Sequence, residues 1–212
     1  MQKKKYLTRA ERSLFTLAPD LKDILTGLIM GDLFINKQKT GINARLEFTQ
    51  GLVHVEYIQH LFELFSDYCG MVPKIPTRAP DKRTGKIYDT VIFYTYSLPC
   101  FLEFYNLFYL DGKKIVPLNI GDLLTPLGLA YWVADDGSFC RTNQVVHLST
   151  ESFTLEEINL LTKVLSEKFN LKATINKNGA GFRIRISQES MPVLQALLTP
   201  HMPSMMRYKI GL

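Results

Sequence analysis

Two aspartates, Asp32 and Asp136, occupy matching points of two similar segments, Leu25-Thr-Gly-Leu-Ile-Met-Gly-Asp-Leu and Leu129-Ala-Tyr-Trp-Val-Ala-Asp-Asp-Gly, about half a chain apart. Each segment reads as helical, with its aspartate at the C-terminal end. There the macrodipole is negative and a carboxylate is disfavoured by on the order of tenths of a kcal/mol. If the two helices pack side by side in parallel, the carboxylates also approach one another, and repulsion adds to that penalty unless a divalent cation neutralises both. No Cys or His stands nearby, so the donors are oxygens and a hard ion such as Mg²⁺ is the natural occupant. Asp135, about 100° further round the helix, reads as a capping or solvent residue.

Close packing of the helices has its own signature. Gly27 and Gly31 lie four apart on one face, as do Ala130 and Ala134. An interior glycine costs about 1 kcal/mol relative to alanine, so two of them call for a neighbour that needs the space.

The rest of the chain must position these helices, and it repeats. Arg45-Leu-Glu-Phe-Thr-Gln-Gly-Leu-Val-His-Val-Glu-Tyr-Ile corresponds to Val145-Val-His-Leu-Ser-Thr-Glu-Ser-Phe-Thr-Leu-Glu-Glu-Ile. Both begin with strand alternation and switch to a helical period. Strand-rich stretches follow at Asp89 to Leu98 and Gly181 to Gln188, then helical segments at Pro99 to Tyr109 and Met191 to Leu198. Each half closes on a lysine in a similar setting, Lys114 and Lys209. The pattern predicts helix, two strands, helix, two strands, helix in residues 1–110 and again in 111–212, with the opening helices at Asp20 to Ile35 and Thr125 to Ala134.

Composition sets bounds. The 212 residues are 46% hydrophobic and 21% charged, a globular balance. The most apolar stretch, Val91 to Leu110, is broken by Ser97, Pro99 and Glu103, so no membrane span is expected. Three cysteines, Cys69, Cys100 and Cys140, fit neither a disulfide framework nor a zinc-ribbon spacing. The N-terminus lacks an apolar signal core and reads as a mature start. The net charge of +5 favours a polyanionic partner. Its densest basic run, Lys74, Arg78, Lys82, Arg83 and Lys86, is punctuated by Pro73, Pro76, Pro80 and Gly85 and predicts a basic loop between strands.

With LTGLIMGDL and LAYWVADDG at half-chain spacing, Phe34 and Phe139 flanking them in comparable places, and the shared strand-helix pattern between, the chain resembles a single-chain LAGLIDADG homing endonuclease over Leu21 to Gly211. The second motif departs from the pattern, with Tyr131 and Trp132 where Gly and Leu would stand, so a less close helix contact is expected on that side. The resemblance implies an α+β fold of two pseudo-symmetric αββαββα halves. Each half would carry a four-stranded antiparallel saddle-shaped sheet, and the two motif helices would join the halves.

The resemblance further implies that Asp32 and Asp136 bind Mg²⁺, with Ca²⁺ supporting binding without cleavage. It implies that Gln50 orients the attacking water, with Thr150 as its weaker repeat counterpart, and that Lys114 and Lys209 are the basic residues of the catalytic pocket. The implied substrate is a long asymmetric double-stranded DNA site of about 20 base pairs, cut on both strands by a monomer to leave short 3′ overhangs. Strand alternation exposes one polar face per sheet, suited to a major groove. Candidate readers are Lys37, Lys39, Asn43, Arg45 and Glu47 in the first half, and Arg141, Asn143, Lys172, Asn176, Lys177, Arg183 and Arg185 in the second. The basic loop is assigned to backbone contact. Related proteins act as maturases on intron RNA or bind DNA without cutting it, and those are the alternative readings. An organellar setting, mitochondrion or chloroplast, is the family expectation.

Overall fold

A computed structural model describes residues 6–77 and 79–212. The chain runs α1 (Arg9–Ser13), α2 (Pro19–Met30), β1 (Phe34–Lys37), β2 (Ala44–Gly51), α3 (Val55–Phe65), β3 (Thr90–Tyr94), α4 (Pro99–Phe108), β4 (Tyr109–Leu110) and β5 (Lys113–Lys114). It continues α5 (Ile120–Leu123), α6 (Pro126–Asp136), β6 (Gly137–Cys140), β7 (Val145–Leu148), α7 (Leu155–Phe169), β8 (Ala173–Asn178), β9 (Gly181–Ile186) and α8 (Met191–Leu198), and ends in a 3₁₀ segment, Ser204–Ile210. The residues form two compact units. One holds the chain up to Leu17 together with Leu33–Asn106; the other holds Ala18–Asp32 and Leu107–Leu212. Compactness thus divides the chain differently from the repeat of residues 1–110 and 111–212, because α2 buries itself against α6.

In the first unit β1, β2 and β3 pair antiparallel in that order. Ile35, Leu46, Phe48 and Phe93 share its buried face. Phe48 and Phe93 stack with centroids 4.2 Å apart, and Phe65 of α3 closes over Phe48 at 5.2 Å. Asn36, Arg45, Glu47 and Tyr94 alternate onto the opposite face. A fourth strand was expected here. Among the described residues its place is taken by two isolated antiparallel bridges, Cys69 with Thr95 and Lys74 with Ile92. Pro73, Pro76 and Pro80 supply no backbone N–H, and a ladder cannot extend through them.

In the second unit the sheet does have four strands, in the order β6-β7-β9-β8, all antiparallel. Val146, Leu148, Ile184 and Ile186 are buried on one face, where α7 packs over β8 and β9. A capping box of Thr154 with Glu157 starts α7, and Asn170 ends it in the left-handed region at φ 54°.

The second unit is built around α2 and α6. Both place proline in the first turn, Pro19 and Pro126, where its missing N–H costs nothing. Both are buried all round, over Ile24–Met30 and Gly128–Ala134, which marks core helices rather than amphipathic surface ones. Their backbones meet: a Cβ on Gly27 would lie 1.9 Å from the Gly128 carbonyl oxygen, and one on Gly128 would lie 2.9 Å from that of Asp23. The small face of α6 therefore extends to Gly128, one residue before the motif, and the contact there is close despite Tyr131 and Trp132. Residues 125–136 otherwise follow the helix expected at Thr125 to Ala134. α2 stops earlier than Ile35, because Gly31 at φ −96°, ψ −135° turns the chain out of the helix and Phe34 already belongs to β1. No helix among the described residues is long and apolar enough to cross a membrane.

Such backbone contact leaves no room for a methyl group. Gly27→Ala is expected to destabilise the protein by about 3 kcal/mol or more in denaturant unfolding. Gly85→Ala, with nothing within 4 Å of its Cβ, serves as the open-space control, bearing only the strain of its positive φ.

Candidate active site

The apposed ends of α2 and α6 bring four of the sequence-predicted residues together: Asp32, Asp136, Lys114 and Lys209. Asp136 is the last residue of α6 and Asp32 follows α2 by two residues. Asp32 is exposed and Asp136 half-buried. Asp135 corrects its sequence reading. It does cap, but the other helix: its Oδ2 accepts the backbone N–H of Asp32 at 3.2 Å. A Cβ on Gly31 would lie 2.5 Å from the Asp135 Cβ, so Gly31 is small because Asp135 fills its space.

The two lysines reach this point from unlike scaffolds. Asp111 and Gly112, both at positive φ (51° and 77°), make the tight turn that pairs Tyr109 with Lys114 across β4 and β5. Lys114 Nζ then donates to the Gly31 carbonyl at 2.7 Å. Lys209 sits in the closing 3₁₀ segment, which is anchored by buried Ile210 and by Gln195 Nε2 donating to the Ile210 carbonyl at 2.8 Å. Its Nζ donates to the Asp135 carbonyl at 2.7 Å. Each lysine thus binds the carbonyl just before one motif aspartate.

Gln50 lies in the first unit at the end of β2, paired with Val91. Its counterpart Thr150 is fully buried and donates to the Phe182 carbonyl at 2.8 Å, a structural bond. On the solvent-directed face of the first sheet stand Arg45 and Glu47, joined by Asn36 and Tyr94, which the sequence reading did not single out. Lys37 alternates to the other side and its ammonium lies 5.5 Å from the Tyr105 ring centroid. Lys39 is exposed, and Asn43 donates to the Ser97 carbonyl at 3.4 Å. In the second sheet Thr174, Asn176, Arg183, Arg185, His147 and Ser138 share a face by register. Lys177 pairs with Phe182 and so falls on the side of Ile175, not with Arg183 and Arg185. Lys172 is engaged with Glu189 at 3.0 Å, while Arg141 and Asn143 are exposed in the β6–β7 turn. Lys74, Lys82, Arg83 and Lys86 are exposed along the basic loop. Its tip is tied by Asp81, whose Oδ1 accepts the backbone N–H groups of Arg83 and Thr84. Arg78 lies outside the described residues.

Electrostatics at the acids are unbalanced. Burial, followed by the charges of Asp32 and Asp135, pushes the Asp136 carboxyl up to about 8, against the opposing pull of Lys114 and Lys209. Burial lowers both lysines, while the three carboxylates hold them up. With Asp136 ionised, three acids would face two ammonium groups in a place partly screened from water, and without a cation that excess favours keeping the proton on Asp136. An oxygen-only donor set with that excess fits a hard divalent cation. Among the described residues no three of His, Cys, Asp and Glu form a self-contained cage. Two carboxylates with the remaining shell left to phosphate and water is the arrangement Mg²⁺ ordinarily takes.

The raised carboxyl has a consequence for stability. The native state keeps a proton that the unfolded chain releases near pH 4, so stability declines as pH rises from about 4 to about 8. In metal-free buffer the melting temperature is expected to fall across that window. Mg²⁺ should recover it at the upper end by binding the folded state, and Asp136→Asn should flatten the fall. Identical pH profiles for wild type and Asp136→Asn would contradict this.

The sequence profile of the LAGLIDADG DNA endonuclease family matches residues 22–194. Cytochrome b mRNA maturase bI2 of Debaryomyces hansenii is 34% identical over 200 residues, covering 92% of this chain and 75% of its own. DNA endonuclease I-ChuI of Chlamydomonas applanata is 28% identical over 211 residues, covering 92% and 96%. Among solved structures, the homing endonuclease I-WcaI bound to its DNA recognition sequence superposes with a TM-score of 0.87 at 28% identity, covering 92% of this chain and 88% of that one. The family profile spans most of the chain, both motif helices included: the protein belongs to the LAGLIDADG DNA endonuclease family.

Proposed function

We propose that the protein is a site-specific endonuclease that hydrolyses both strands of a long asymmetric DNA duplex, with Asp32 and Asp136 holding Mg²⁺. One observation carries this reading: two motif aspartates at the ends of α2 and α6 meet two lysines, from β5 and the closing 3₁₀ segment, at one spot where the ionised acids would outnumber the ammonium groups. The bound cation would supply Lewis acidity toward a phosphate oxygen and a lowered pKa for its water. Water oxygen bonds to phosphorus as the bond to the sugar oxygen breaks. Lys114 and Lys209, pinned by main-chain carbonyls and short of rotational freedom, hold positive charge where the phosphoryl oxygens gain negative charge. Gln50 is proposed to orient the attacking water. The outward faces of the two sheets read base edges, and the loop of Lys74, Lys82, Arg83 and Lys86 contacts phosphates. A chain with one copy of each motif would act as a monomer. An organellar setting is part of the same proposal.

The resemblance to an mRNA maturase at 34% identity supports a second reading, in which the chain binds intron RNA and assists splicing, with or without DNA cleavage. The two are separated by offering the protein a plasmid library of randomised sites with Mg²⁺, with Ca²⁺ as the binding-only control. Cleavage supports the endonuclease; no cut at any site beside tight intron-RNA binding supports the maturase. Asp32→Asn and Asp136→Asn are each expected to abolish cutting of both strands while leaving duplex affinity in Ca²⁺ largely intact. Lys114→Met should lower the cleavage rate by about 10²-fold. Full activity in either Asn variant would refute the metal assignment.

A further inference from the structure

Four ion pairs away from the motif aspartates are of two kinds. Lys163–Glu167 at 3.9 Å and Lys172–Glu189 at 3.0 Å have side chains 65–74% exposed, the kind that contributes little. Arg45–Glu47 and Arg183–Glu151 are better shielded, at 37% and 20% and at 40% and 30%. In each of these two the arginine stands on a solvent-directed sheet face, and the carboxylate oxygen it donates to also accepts from an asparagine. Glu47 Oε1 accepts from Arg45 Nε at 2.8 Å, from an Arg45 terminal nitrogen at 2.6 Å, and from Asn36 Nδ2 at 2.8 Å. Glu151 Oε1 accepts from Arg183 Nε and from Asn178 Nδ2. Register puts Asn36 opposite Arg45, and Asn178 on the face of Arg183. The Tyr94 ring supports the Arg45 guanidinium at 5.1 Å.

We infer that Glu47 and Glu151 are positioning residues for sequence recognition, each locking an arginine and an asparagine into the geometry that reads a base. Glu47 takes the Nε edge of Arg45 and leaves the outer fork, the pair of donors that guanine O6 and N7 accept. It takes one amide hydrogen of Asn36 and leaves the other hydrogen and the carbonyl, the donor and acceptor that adenine N7 and N6 need. The same holds for Arg183 and Asn178 at Glu151. Each carboxylate also cancels its arginine's charge and holds it away from phosphate. It thereby trades affinity that carries no sequence information for discrimination. The two devices arise from different positions, since Glu47 lies within β2 and Glu151 in the turn after β7. This rests on the sheet faces being the DNA-reading surfaces.

Glu47→Gln and Glu151→Gln test it, using wild-type protein and a randomised duplex library in Ca²⁺. Each variant is expected to lose about tenfold or more of its base discrimination at one or two adjacent positions, with the rest of the profile and the melting temperature unchanged. Non-specific binding should become steeper in salt by about one ion, as a freed arginine finds a phosphate. In the free wild-type protein the Nε–H protons of Arg45 and Arg183 should exchange more slowly than that of exposed Arg141, and this protection should weaken in the matching variant, whose neutral amide oxygen is a poorer acceptor. Fast exchange in wild type, unchanged discrimination in the variants, or a uniform loss of affinity with lowered stability would each overturn the inference. A wild-type chain that selects no sequence while its arginines remain protected would overturn the endonuclease reading beneath it, so the two failures are distinguished.

Discussion

Everything at the centre of this protein depends on two helices touching backbone to backbone. Gly27 against the Gly128 carbonyl, and Gly31 against the Asp135 side chain, bring α2 and α6 within reach of main-chain dipoles as well as side chains. Both helices run toward the same place, so two negative helix ends and three carboxylates are concentrated there. Hydrophobic burial along Ile24–Met30 and Gly128–Ala134 supplies the free energy that offsets this crowding. The electrostatic cost is local, is only partly met by Lys114 and Lys209, and leaves a demand for positive charge that a cation and a phosphate backbone can meet together.

The supporting elements follow from that demand. A two-residue turn delivers Lys114 and a 3₁₀ segment delivers Lys209, yet both ammonium groups end on equivalent carbonyls. The sheet faces work by a related principle at lower charge density. There Glu47 and Glu151 hold arginines in place, where the central aspartates would hold a cation.

That Asp32, Asp136, Lys114 and Lys209 come to one place was legible in the sequence because the repeat registers them against each other, and a repeat carries positional information that a lone motif does not. Gly128 was missed because it precedes the second motif by one residue, and the partner it needs, Gly27, is a hundred residues away. Asp135 was misplaced by treating α6 as an isolated helix; its role exists only across the interface. The fourth strand of the first unit failed where Pro73 and Pro76 remove ladder donors, although the same prolines had correctly marked a loop. Alternation found the sheet faces but not their register, which is why Lys177 was grouped with Arg183 and why Asn36, Tyr94, Asn178 and Glu151 went unnoticed. Hydrogen-bonded networks between strands have no periodic signature in a single sequence.

The most direct test of the central claim is anomalous scattering from Mn²⁺ in crystals of the protein bound to its selected duplex. The account predicts a manganese peak at the apposed ends of α2 and α6, within coordination distance of Asp32 and Asp136 carboxylate oxygens and of phosphate. A well-ordered complex with Asp32 and Asp136 engaged only by lysines or water, and manganese absent or bound elsewhere, would contradict it.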